Sequence, residues 1–354
     1  MRIACLNQDP GIAPGRRKGA AVHLLSMRRA FESLGNEVLA VDESDPATAR
    51  ERLERAHAER PLDLVYERHA LRATVGASFA REREVPLALE VNAPLAEEEE
   101  RWRAAPGRPD LDGERLVFSR ADLVLAVSHQ VARYAFARGA RAESLHVFPN
   151  GVDLERFRPR PAGDALRSSL VPEGRFALGF HGRLRPWHGF ERLVASTREL
   201  VDLGLPVHLV LVGEGDFDKD LAGRVPADSV TRVPWVDHDE VGRYVAAFDA
   251  LPLSYPPDAP CYFSPLKLAE AMACGVVPLV PDLGDLSEAV RDGHDGIVYP
   301  ARDPAALAQG IRRLIEDPAQ AARLARGAVR SAQEKSWERI AAFVLGFVGA
   351  RARR

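Results

Sequence analysis

Phe176-Ala-Leu-Gly-Phe180-His-Gly-Arg183-Leu-Arg-Pro-Trp187-His188-Gly189 begins as an apolar run, turns at glycine, exposes basic side chains and enters a helix-like segment. That order describes one strand, turn and helix of a βα unit. The unit follows residues 153–175, where Pro159, Pro161, Gly163, Pro172 and Gly174 break the rhythm and read as an interdomain linker. Downstream, strand-like runs at residues 207–212, 230–233, 250–253 and 276–280 alternate with helix-period segments. Upstream, the same alternation carries runs at residues 3–7, 37–41, 62–66, 86–92, 121–128 and 145–149. A helix-like segment over about 20–34 stops at Gly35. Alternation of this kind predicts right-handed βαβ units and parallel, doubly wound sheets. The expected architecture is α/β, with Rossmann-like domains over residues 1–160 and 175–335. Ligands of open α/β sheets bind beyond the carboxyl ends of the strands. Two such sheets facing each other place an active site in the cleft between them.

The composition agrees. A chain of 354 residues with 46% hydrophobic and 28% charged side chains suits two globular units with substantial cores. A formal net charge of -3 offers no bulk attraction to nucleic acid. The apolar run in MRIACLNQDPG is too short for a signal peptide's apolar region or a membrane span. Cys5, Cys261 and Cys274 lack metal-ligand spacing and read as reduced thiols, so a cytoplasmic protein is expected. Residues 337–349 are apolar at helical spacing and are followed by arginines at 351, 353 and 354; the expectation is a helix over about 336–354 packed back on the first domain. Peripheral membrane contact is the other role open to that helix. Oligomeric state is not legible.

Three segments could carry chemistry. In Gly15-Arg-Arg-Lys18-Gly19-Ala-Ala-Val-His23, glycines let backbone N–H groups approach a phosphate at the start of a helix. The strict dinucleotide pattern G-x-G-x-x-G is absent, and His23 reads as a packing residue. The turn around Gly182, Arg183 and His188 lies at the ligand-binding edge of its sheet, where arginine and a helix N-terminus favour a diphosphate. In Ser264-Pro265-Leu266-Lys267-Leu-Ala-Glu270-Ala-Met-Ala-Cys-Gly275, Ser264 is expected to cap a helix with proline in its first turn. Lys267 and Glu270 share one face. A lysine near a helix start opposes the dipole unless an anion binds there, and Glu270 could accept from two adjacent ribose hydroxyls. A surface salt bridge and a solvated charge run are the plain readings of Lys267/Glu270 and of residues 97–100.

Together these segments resemble glycosyltransferase family 4, retaining enzymes of the GT-B fold. The likeness includes Lys18 to His23, Tyr66-Glu-Arg68, Glu90-Val-Asn92-Ala-Pro94 and Pro149-Asn150-Gly151-Val152-Asp153. It continues through Gly182-Arg183, Pro186-Trp187-His188-Gly189, Leu211-Val-Gly213-Glu-Gly215 and the run from Ser264 to Gly275. The resemblance implies a nucleoside-diphosphate sugar as donor, a small-molecule or glycan acceptor, and transfer with retention at the anomeric carbon. It implies no metal and no other cofactor. Front-face departure and attack, with the leaving phosphate assisting the acceptor's deprotonation, is one implied route. Arg183 and Lys267 would bind the diphosphate and Glu270 the ribose, with Gly19, Gly182, His188, Gly213, Ser264, Pro265 and Leu266 lining the donor. Lys18, Asn92 and Trp102 would face the acceptor, Trp102 from a charge-rich stretch over residues 95–112.

The chain departs from the family pattern at three places. His188 stands where the family often has lysine, so a charge that titrates near neutrality is expected there. Tyr262 stands where many members have glutamate, and Asn92 where a histidine often follows the fourth strand. Asn92 is expected to line the sugar or acceptor pocket, and is grouped with Arg183 and Lys267 as catalytic. A silent nucleotide-sugar-binding subunit and a GT-B epimerase are the alternative readings.

Overall fold

The computed structural model describes residues 1–12, 19–102, 111–161 and 164–351, with the side chains of residues 19, 101, 102 and 351 left out. The chain forms two compact units. Met1–Asn150, Tyr262–Ser264 and Trp337–Arg354 make one; Gly151–Cys261 and Pro265–Ser336 make the other.

In the first unit, β1 (Arg2–Asn7), β2 (Glu37–Asp42), β3 (Leu64–Arg68), β4 (Leu87–Val91), β5 (Leu123–Ala126) and β6 (Leu145–Val147) form one sheet in the order β2-β1-β3-β4-β5-β6. Every pairing is parallel. Such strands are covered on both faces and so read as continuous apolar runs, as in Leu-Val-Leu-Ala of β5, where all four residues are buried. The register sets Asn7 beside Arg68 and Arg68 beside Glu90, so three polar residues end in one row at the carboxyl edge. The strand order reverses between β1 and β3, which is where an open sheet parts to admit a ligand. The helix Trp337–Arg351 packs along Gly19–Ser33. The Trp337 ring lies 4.5 Å from that of His23, and Phe343 packs on His146 and Phe148.

The second unit repeats the design. Here β7 (Phe176–Arg183), β8 (Val207–Glu214), β9 (Val230–Val233), β10 (Ala250–Pro252), β11 (Val277–Pro281) and β12 (Ile297–Tyr299) lie in the order β12-β11-β10-β7-β8-β9. These pairings are also parallel, and the order reverses between β7 and β10. The three-residue β12, bounded by Gly296 and Pro300, is too short to show a period and has no counterpart in the sequence reading. The linker stretch contains a short helix, Ala165–Leu170, whose Leu166 N–H donates to Asp164 at 2.9 Å. All three cysteines are free and buried, and burial pushes the Cys5 thiol up to about 12. No described helix is long and apolar enough to cross a membrane.

Among the described buried acids outside the polar row, one stands without a partner. Glu67 in β3 is 1% exposed, its Oε2 lacks a hydrogen-bond partner among the described residues, and burial pushes its carboxyl up to about 8. Between its ordinary value of 4.5 and about 8, the folded chain holds a proton that the unfolded chain has lost. The associated stability is therefore complete below that window and is lost as pH rises through it, by at most about 1.4 kcal/mol per pH unit. Glu67→Gln should melt above wild type at pH 8, with the gap closing towards pH 5. Parallel melting profiles over that range would show that Glu67 ionises as an ordinary carboxylate.

Candidate functional site

The second unit gathers most of the expected donor residues at the carboxyl ends of β7 and β8. The register places Gly182 beside Gly213 and Arg183 beside Glu214. Gly213 has φ +135, and a Cβ there would lie 2.2 Å from the Gly182 carbonyl oxygen, so a side chain cannot occupy this edge. Beyond β7 the chain makes one turn of 3-10 helix, Pro186–His188, and Gly189 at φ +60 starts the helix Phe190–Asp202. A Cβ on Gly189 would meet the Ser254 carbonyl oxygen at 2.1 Å. Ser254 Oγ donates to the His188 carbonyl at 3.0 Å, locking the turn against the end of β10.

The helix Leu266–Ala273 presents Lys267 and Glu270 to this edge. Lys267 Nζ lies 4.5 Å from the centroid of the Phe180 ring and 3.4 Å from His188 Nε2. Burial pushes the ammonium down to about 8, against the attraction of Glu270. Glu270 is itself buried, and burial raises its carboxyl to about 7 despite Lys267 and Arg156. His181, 5% exposed on β7, brings its Nε2 within 3.6 Å of Glu270 Oε2. Sequence reasoning passed over His181. Its place two residues before Arg183, near the end of a strand that reaches the ligand edge, was the available signal.

His188 corrects an expectation. Burial, Lys267, Arg185 and His181 hold its imidazole at about 2, so the ring is neutral throughout the physiological range. The Arg185 backbone N–H donates to Nδ1 at 3.1 Å, which places the neutral ring's own proton on Nε2. Nε2–H and the Lys267 ammonium are then two donors 3.4 Å apart. They cannot satisfy each other, but an anion beside both would accept from each.

Arg183 is exposed and is committed elsewhere. Its Nη2 donates to Glu214 at 2.7 Å, and its guanidinium lies 6.0 Å from the Trp235 ring. Its described partners do not include Lys267, His188 or Glu270. Ser264 is a second correction. It does not cap the helix: Pro265 holds the N-cap position, with no side-chain cap bond, and Leu266 is the first helical residue. Ser264 belongs to the first unit, where its Oγ accepts from the Asn150 backbone N–H at 2.9 Å and its carbonyl accepts from Asn150 Nδ2 at 2.6 Å. That long-range clip outcompetes the local cap.

In the first unit, Glu90 at the end of β4 is the hub. His23 Nε2 and Arg68 Nη1 each lie 2.8 Å from its carboxylate, and Tyr66 Oη and Asn92 Nδ2 donate to it as well. Burial pushes Glu90 up, but His23, Arg68 and Tyr66 outweigh it and hold the carboxyl at about 2. Asn92 is half-buried and spends its amide N–H on Glu90; no described residue donates to its Oδ1. Gly19 opens the helix Gly19–Ser33, Lys18 lies outside the described residues, and of Trp102 only the backbone, in the helix Leu95–Trp102, is described. The charge run is only partly a solvated face. Glu99 is buried and takes both Arg72 guanidinium nitrogens at 3.0 Å, while Tyr262 Oη donates to Glu98. Tyr262, standing where many family members have an acid, thus has the Glu98 carboxylate of the helix Leu95–Trp102 alongside.

Residues 1–151 match the profile of the glycosyl transferase 4-like domain, and residues 175–317 that of glycosyl transferases group 1. The D-inositol 3-phosphate glycosyltransferase 1 of Catenulispora acidiphila is 33% identical over 296 residues, which are 78% of this chain and 69% of that one. The D-inositol 3-phosphate glycosyltransferase of Streptomyces bingchenggensis is 31% identical over 79% of this chain and 65% of its own length. The chain thus spans about two thirds of the length of these curated relatives. Among solved structures, Anabaena HepE in complex with UDP aligns with 99% of this chain and all of its own at 23% identity and a TM-score of 0.74, a likeness of fold. With two parallel six-stranded α/β units, matching profiles over both and relatives at this identity, the chain belongs to glycosyltransferase family 4 and has its GT-B fold.

Proposed function

We propose that this chain moves a sugar from a nucleoside-diphosphate sugar to a hydroxyl of a polar acceptor, with retention and without a metal ion. The observation that carries the reading is the pair of donors at the end of β7, His188 Nε2–H and the Lys267 ammonium, which a diphosphate would satisfy together. Lys267 and a neutral His188 would take the donor phosphates, and Arg183 would join them by exchanging Glu214 for phosphate. As the glycosidic bond breaks, negative charge grows on the leaving diphosphate. Fixed donors in a partly buried site stabilise that charge without reorganisation, which is the work a metal does in other transferases. Glu270, one helical turn along, would take the ribose hydroxyls.

On the first unit, the Glu90 hub fixes the amide of Asn92, leaving Oδ1 to accept from a sugar or acceptor hydroxyl. The names of the curated relatives make D-inositol 3-phosphate the first acceptor to try. The product's anomeric configuration, read by NMR against that of the donor, tests retention directly.

The donor site is tested by thermal stabilisation with UDP, GDP, ADP and dTDP in EDTA. A nucleotide at a hundredfold over its Kd should stabilise wild type by about 2.7 kcal/mol, and Lys267→Ala should lose most of that. Stabilisation only with a divalent cation, or equal stabilisation of the variant, would remove Lys267 from the site. Because burial brings the Lys267 ammonium down to about 8, nucleotide affinity should fall as pH rises through that value. The fall should reach at most about tenfold per pH unit, and Lys267→Arg should abolish it; an unchanged alkaline limb would assign it to another group. Asn92→Ala should lower kcat/KM for the acceptor by about tenfold, the scale of one hydrogen bond, with nucleotide affinity unchanged. Full activity in that variant would end its assigned role.

A further inference from the structure

His181 has no place in the reading above, yet it is 5% exposed and aimed at Glu270 from the neighbouring strand end. The Lys267 backbone beside the ring favours its protonated form, against the larger effect of burial. Among the described residues, Nε2 is the ring nitrogen without a hydrogen-bond partner. With the neutral ring's proton on Nδ1, Nε2 presents a lone pair to Glu270 Oε2 across 3.6 Å. A lone pair and a carboxylate repel; one proton between them turns the contact into a hydrogen bond. The groups bearing on this pair are Lys267 on the shared helix, His238 near the ring, Arg156 near the carboxyl, and His188 and Cys274 at the margins. Burial opposes charge on both partners, pushing the imidazole down to about 3 and the carboxyl up to about 7.

We propose that His181 is a positioning residue of the donor site, sharing one proton with Glu270 and holding that carboxyl where it meets the two ribose hydroxyls. The inference rests on the donor reading given above. When a ribose arrives, its hydroxyls donate to Glu270, which must then act as a carboxylate. The O–H bond of Glu270 breaks, the electron pair stays on Oε2, and the proton moves to Nε2 of His181. The arriving diphosphate offsets the imidazolium charge, and no proton leaves the protein.

The test is isothermal titration of the full chain with UDP, GDP and ADP and with their 2′-deoxy counterparts. Titrations near pH 6 in buffers of different ionisation enthalpy count the protons released. The count is the ribonucleotide's less that of its 2′-deoxy counterpart, so that the phosphate's own protons cancel. Wild type should prefer the ribonucleotide of at least one pair by about 10- to 100-fold, the worth of hydrogen bonds to a charged group, with no net proton release. His181→Leu should bring that preference to within about threefold of none, release close to one proton per nucleotide, and keep its affinity for pyrophosphate. His181→Gln keeps a hydrogen-bonding side chain that cannot take the proton. It should retain much of the preference yet release the proton, and it carries the test if the leucine variant does not fold. A variant pair with wild-type preference and wild-type proton count overturns the inference and leaves the diphosphate site standing. If wild type distinguishes no pair and Glu270→Gln matches it, the ribose role of Glu270 falls first and the inference falls with it.

Discussion

Lys267 and Glu270 ride on an eight-residue helix whose remaining face is apolar and buried, so two side chains of opposite charge are drawn into the protein by the packing of their neighbours. Burial penalises both charges, and neither partner fully compensates the other: the ammonium is pushed down and the carboxyl up. A surface pair at this spacing would add about 0.3–0.5 kcal/mol and little else. Here the pair is held short of satisfaction, with His188, Phe180 and His181 arranged around it. Groups kept in that state gain most from a ligand that supplies the missing partners, which is the physical meaning of a perturbed pair at a sheet edge.

The scaffold explains why such a pair can be kept ready. The end of β7 lies where the strand order of the second sheet reverses, and the glycine-to-glycine register with β8 keeps side chains off the edge. The turn that follows is locked by Ser254 on the His188 carbonyl and by Arg185 N–H on Nδ1. The histidine ring is thus fixed in orientation and in tautomer before a ligand arrives. The first unit uses the same logic with the opposite sign. Glu90 is a buried anion surrounded by enough donors to stay charged, and it fixes the amide of Asn92.

Much of this organisation was legible in the chain itself. Apolar runs alternating with helical segments announced two parallel sheets, because strands covered on both faces need no polar side. Lys267 and Glu270 could be set on one helix face from their spacing alone. Gly182 and Gly213, which the family resemblance set beside the donor, do lie paired at the ends of β7 and β8. The short β12 was not legible, since three residues carry no period.

Charge state and partner choice were decided elsewhere. A free imidazole titrates near neutrality; burial among Phe180, Tyr255 and Lys267 makes that of His188 a neutral donor. Ser264 has the composition of a helix cap but bonds Asn150, 114 residues away in sequence. His181 and Glu98 gain their partners only when distant strands and helices come together. The order of amino acids determines propensity and period, which are local quantities. Desolvation and long-range hydrogen bonding depend on what the fold brings alongside, and they decided which of the candidate residues face one another and with what charge.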